Sequence, residues 1–212
     1  EYLLGVGKQN KMDPDAIIHF KNYVTKFNGK NYVKAAYMRI GWCYLLNNDI
    51  NNFKLAQANI NFYGSTLVDE DKEAQKQFER NNQPDPYLLK ARLLFDGGYY
   101  KKALQTLKKI ENHMLFSNGQ DIIEYFYRSG RVYESLEENI LAKENYQKTI
   151  NLGRNLPYYY AAKSALQMGI IFEKDNNTKK AKYYFEDCIA MKNHDYEQSI
   201  EQKAKAGLNR IK

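Results

Sequence analysis

One spacing recurs three times in this chain and constrains its fold more than any other feature. A small residue is followed three positions later by an aromatic residue or leucine, and nine positions after that by alanine. The three copies are Ala91–Leu94–Ala103, Gly130–Tyr133–Ala142 and Gly169–Phe172–Ala181, with anchors 91, 130 and 169 standing 39 residues apart each time. Self-similarity at a period of roughly 20–50 residues marks a stacked repeat. A single unit buries too little apolar surface to stand alone, so each must pack on its neighbours.

The hydrophobic period identifies the units as helical. After Asp13-Pro14-Asp15, a natural helix opening, Ile17, Ile18, Phe20, Tyr23, Val24 and Phe27 form one stripe that ends at Asn28-Gly29. A second stripe over 31–46 carries Val33, Ala36, Tyr37, Ile40, Gly41, Tyr44 and Leu45, and a third helix spans 50–62. Residues 69–81 are strongly charged, with only Ala74 and Phe78 as a sparse stripe, and read as a helix lying mostly on the surface. From Pro84-Asp85-Pro86 onward the pattern predicts helix pairs at 85–95 with 99–112, 120–136 with 138–152, and 157–174 with 178–191. The turns within pairs are short, so the partners must be antiparallel. The last helix, 195–211, is polar enough to cap an open end. No stretch rich in proline, glycine or serine divides the chain, which reads as one domain over 1–212.

Composition narrows the chemistry. With 43% hydrophobic residues the 212-residue chain can offset its conformational entropy, and 19 tyrosines suit a thin core whose hydroxyls reach water. The net charge of +7 admits an acidic partner, a nucleic acid or an anionic membrane. Yet Lys101-Lys102, Lys108-Lys109 and Lys179-Lys180 fall where second helices turn outward, which reads as a solvated face, and no nucleic-acid partner is expected. Cys43 and Cys188 sit in helical stripes as small buried residues. His19, His113 and His194 have no metal-ligand spacing. Gly5-Val6-Gly7-Lys8 lacks the spacing and the hydroxyl residue of a phosphate loop. No apolar run is long enough to span a membrane. No nucleophile motif appears, so neither enzymatic activity nor a cofactor is expected. A chain opening at Glu1 reads as a fragment or a processed product of a longer one. The compartment stays open, with the cell envelope slightly ahead of the cytoplasm, and so does the oligomeric state.

The units resemble the tetratricopeptide repeat, in a divergent bacterial form with a period of about 39 rather than 34. The resemblance rests on Gly130, Tyr133, Ala142 and Tyr146, on Gly169, Phe172, Ala181, Phe185 and Cys188, and more loosely on Ala91, Leu94, Ala103 and Leu107. It delimits repeats at 84–118, 119–156 and 157–192, with 195–211 as the cap. Gly41-Trp42-Cys43-Tyr44 fits a further first helix, and Gly5 marks an earlier one with 13–28 as its partner. The extra residues fall between units, and the family's proline is missing at the end of the second helix. What the resemblance implies is an all-α, right-handed α-solenoid of antiparallel helix pairs. Gly130 would meet Ala142 at a helix crossing, with the aromatic filling the gap to the next unit. The family role is a non-enzymatic scaffold gripping a protein or peptide in a concave groove. Carried onto this chain, the groove positions are Ala35, Met38, Trp42 and Leu45; Asp85, Leu88, Arg92 and Phe95; Glu124, Tyr127, Arg131 and Glu134; and Lys163, Leu166, Ile170 and Glu173. Of these, Met38, Trp42, Arg92, Phe95, Tyr127, Arg131, Glu134 and Lys163 are the candidate partner contacts. Trp42 and Phe95 packing on neighbouring helices, and Arg92 and Arg131 pairing with Glu124 or Glu134, remain open as alternatives. A glycan- or small-ligand-binding envelope protein is the alternative function, with nucleic-acid binding behind it.

Overall fold

The computed structural model describes residues 1–81, 83–111 and 119–211. His113 and the end of the 84–118 repeat lie outside the described residues. Every regular element among them is a helix. In chain order these are α1 (Tyr2–Asn10), α2 (Ala16–Lys26), α3 (Val33–Leu46), α4 (Ile50–Phe62), α5 (Asp69–Glu79) and α6 (Pro86–Asp96). They continue as α7 (Tyr100–Glu111), α8 (Gly119–Ser135), α9 (Asn139–Gly153), α10 (Tyr160–Lys174), α11 (Thr178–Ala190) and α12 (Glu197–Arg210). Gly5-Val6-Gly7-Lys8 is helical, inside α1.

The chain forms two compact units, Glu1–Ala103 and Leu104–Lys212. In the first, α1 packs on α2, α2 on α3 and α3 on α4, while α5 lies on α3 and α4, and α6 touches α1 and α3. In the second, each helix from α8 to α12 packs on the next, and α10 also touches α8 and α12. Packing between sequence neighbours, element by element, is the pattern a helical repeat produces.

The repeat shows best in its turns. Met12, Asn48, Gly98, Glu137 and Asn176 all have positive φ, at 65, 60, 81, 64 and 55°. In each case the next residue's amide reaches back five positions: Asp13 to the carbonyl of Lys8 at 3.0 Å, Asp49 to Tyr44 at 2.9 Å, Tyr99 to Leu94 at 2.8 Å, Glu138 to Tyr133 at 2.9 Å, and Asn177 to Phe172 at 2.8 Å. This is the Schellman closure, which satisfies a carbonyl left open at the helix end. The accepting carbonyl lies three residues after Gly5, Gly41, Ala91, Gly130 and Gly169 in turn. Two N-terminal hairpins therefore share the frame of the three copies visible in the sequence.

The small residues are required by close approach. A Cβ on Gly130 would stand 2.6 Å from the Tyr146 ring, and one on Gly169 2.5 Å from the Phe185 ring. The crossing partner of Gly130 is thus Tyr146 rather than Ala142, because a ring laid flat on a bare backbone fills the gap that two small residues would leave. Gly207 of α12 presses on Phe185 from another side, its absent Cβ 2.5 Å from Cζ.

One local expectation needs correction: Asp13 accepts the Asp15 amide at 3.0 Å within a turn, and α2 starts only at Ala16. Helix α5 lies mostly on the surface, as its charge pattern suggests, but Asp71 and Ala74 are fully buried. The Asp71 carboxylate accepts the amides of Tyr32 at 2.6 Å and Ala35 at 2.9 Å. It caps α3, whose own N-cap, Tyr32, is left-handed (φ 60°) and offers no side-chain cap. Local caps serve elsewhere: Asp85 for α6, Asp49 for α4 and Asn177 for α11.

Candidate binding surfaces

In the first unit the proposed groove residues divide. Met38 (5% exposed) and Trp42 (2%) belong to the core, packed with Leu45, Phe53, Ala74, Leu89 and Leu93. They do not line an open groove, because α5 and α6 cover that face of α3. Trp42 has a guanidinium against its ring from Arg39 at 5.5 Å and from Arg92 at 5.3 Å. Arg92 also reaches Asp96 at 3.8 Å, so its partners are Trp42 and Asp96 rather than Glu124 or Glu134. Phe95 is half-buried, its ring 5.3 Å from that of Tyr100.

In the second unit the structure gathers Tyr127, Arg131 and Glu134 on α8 with Lys163 on α10. Tyr127 is buried, and its hydroxyl accepts a hydrogen bond from Arg131 Nη1 at 3.1 Å. A partner therefore meets Tyr127 only through Arg131, which is half-buried. Glu134 accepts from the Tyr146 hydroxyl at 2.5 Å and from Gln167 Nε2 at 3.1 Å. Burial, followed by the Glu134 carboxylate, pushes the Tyr146 phenol far above its usual range. Lys163 is held below the usual lysine range, first by burial and then by the positive charges of Lys203 and Arg131. The Lys163 amide donates to the Tyr159 carbonyl at 2.9 Å, and among the described residues its ammonium makes no hydrogen bond or ion pair.

Three contributors had no signal in the sequence. Lys203 lies on α12, whose reading as a cap gave no reason to orient any of its side chains toward a site. Arg128 pairs with Glu124, and the Tyr160 hydroxyl donates to Glu124 at 2.7 Å. That trio sits beside the tyrosine cluster of Tyr127, Tyr159, Tyr160 and Tyr196, where Tyr127 and Tyr160 rings stand 5.3 Å apart and Tyr159 and Tyr196 5.5 Å. The run Tyr158-Tyr159-Tyr160 is visible in the sequence, but only the fold brings it to Tyr127.

The thiols are poor nucleophiles: burial pushes Cys43 up to about 11 and Cys188 up to about 12. Among the described residues no three His, Cys, Asp or Glu side chains gather into a metal-sized cluster. No described helix is long and apolar enough to cross a membrane. The first unit has a cavity of about 480 Å³ lined by Phe53, Lys54, Gln57, Ala58, Gln77, Phe78, Asn81 and Gln83. A smaller one of about 200 Å³ opens beside Cys43, whose Sγ lies 3.2 Å from Gln9 Nε2. Comparison with protein-family models, with curated proteins and with solved structures finds no match for this chain.

Proposed function

We propose that the chain is a non-enzymatic interaction scaffold of tetratricopeptide-like repeats, wound as a right-handed solenoid. Its partner is a protein or peptide that lays an acidic group against α8, α10 and α12. The observation that carries this reading is Lys163. Three helices each supply one cation, Arg131, Lys163 and Lys203, and burial first, then the like charges of Lys203 and Arg131, lower the proton affinity of the half-buried lysine. Glu134 relieves only part of this, since its oxygens already accept from Tyr146 and Gln167. A carboxylate arriving from outside would neutralise the repulsion, and Arg131 offers it two-pronged geometry.

Fluorescence anisotropy with labelled Glu/Tyr-rich peptides tests this. Wild type should bind, and an Arg131→Glu/Lys163→Glu variant with an unchanged far-UV spectrum should bind at least about tenfold more weakly. Equal affinity would remove this face as the site. One observation favours the glycan reading separately. The larger cavity of the first unit presents the carboxamides of Gln57, Gln77, Asn81 and Gln83 around two phenyl rings, with no carboxylate among its described lining residues. That chemistry matches a neutral, hydroxyl-rich ligand, and calorimetry against neutral oligosaccharides checks it.

A further inference from the structure

The intervals between hairpins are unequal, and the exception has a use. The small residue that sets each frame stands at 5, 41, 91, 130 and 169. The step from 41 to 91 is 50 residues, against 36 and 39 for the others. The surplus is about one short helix, and α5 falls inside that interval, outside all five hairpins. It lies across α3 and α4, on the face of α3 that carries Met38 and Trp42.

Its attachment follows one helical stripe at positions i, i+3 and i+7. Asp71 supplies the carboxylate that closes the end of α3. Ala74 is fully buried, and Phe78 packs half-buried on the cluster around Trp42. Other α5 side chains bond within the helix: Lys72 to Asp69, Gln75 to Glu79 and Gln77 to Glu73. Asp71 and Ala74 are its only fully buried residues, so little apolar surface holds it down. Trp42 Nε1, in the core cluster that Ala74 and Phe78 join, is buried with no hydrogen-bond acceptor among the described residues.

We propose that α5 is a built-in occupant of a docking groove on the α3–α4 pair. The partner this groove fits is an acidic amphipathic helix of another protein, with a carboxylate in its first turn, a small residue three positions on and an aromatic at seven. Such a helix competes with α5 for the same amides of α3. This surface belongs to the first unit, and the proposal holds whether or not the Lys163 face of the second unit binds.

The test uses the full chain. Hydrogen exchange on wild type should show the amides of α5 opening at least about tenfold faster than those of α3 and α4. A fluorescent peptide of residues 68–81 should bind an Asp71→Ala/Phe78→Ala variant at least about tenfold more tightly than wild type. The same peptide with alanine in place of its aspartate at 71 should not bind the variant. Exchange of α3, α4 and α5 as a single cooperative unit overturns the proposal. So does global unfolding of the double variant, or a folded variant that ignores the peptide, because each would make α5 a fixed part of the core.

Discussion

At the scale of single residues, the glycines of the motif are structural requirements with measurable cost. Gly130→Leu or Gly169→Leu forces a branched side chain into a ring that already stands closer than a Cβ allows. Either should destabilise by about 1–3 kcal/mol, read as a lowered urea midpoint; an unchanged midpoint would refute the crossing. These positions were legible because a missing side chain leaves its own trace in a periodic pattern. Asp71 was not legible, because a cap supplied from 36 residues away leaves no local spacing to read. Met38 and Trp42 were placed at the right helical phase but on a face that α5 and α6 cover, and a one-dimensional pattern does not register an inserted helix. Glu201 gives a pH prediction. Hydrogen bonds from Lys192 and Lys205 hold its carboxyl down at about 2. A depressed acid favours the folded state above its unfolded value near 4.5, and that contribution fades as pH falls toward 2. Protection factors of the amides in the first turns of α12, with the intrinsic pH dependence of exchange divided out, should therefore fall across that window, and constant protection would show that the contact carries no weight.

At the scale of elements, the hairpin turn is the common currency of the chain. Four of its five left-handed positions are held by side-chain-bearing residues, and Met12 and Glu137 lack the tolerance for that region that Asn48 and Asn176 have. Glu137→Gly should stabilise the α8–α9 hairpin by about 0.5–1 kcal/mol, since glycine takes that conformation without the Cβ clash. Thermal melts decide this, and a lower midpoint would mean that the Glu137 side chain carries an unrecognised contact. The spans of α4, α6 and α11 followed from their stripes and flanking turns, whereas α2 began later than Asp13 suggested because the turn absorbed that carboxylate. The polar helix α12 is more than a lid: Gly207 grips Phe185, and Arg210 binds Glu173 through two hydrogen bonds of 2.7 Å.

At the scale of the whole molecule, stability should be divided rather than shared. The chain has one tryptophan, and it lies in the core of the first unit. Its emission therefore reports Glu1–Ala103, while far-UV ellipticity reports both units. In a urea titration the two signals should have different midpoints, as expected when stability is summed over neighbouring repeats. Coincident curves would show a single cooperative body instead. The helical class was legible from periodicity alone. The neighbourhood of Arg131, Lys163 and Lys203 was not legible, because helices α8, α10 and α12 bring those charges together only after folding.

The five matching turns have a bearing on ancestry. What marks the turn within each hairpin is a backbone amide meeting a backbone carbonyl, at Lys8, Tyr44, Leu94, Tyr133 and Phe172 alike. Lysine, leucine, phenylalanine and two tyrosines accompany one geometry, so the punctuation of this chain is written in main-chain atoms. A lineage built on such punctuation can exchange nearly its whole alphabet and still count its repeats correctly. Letter-by-letter comparison will lose sight of its kin long before the architecture changes.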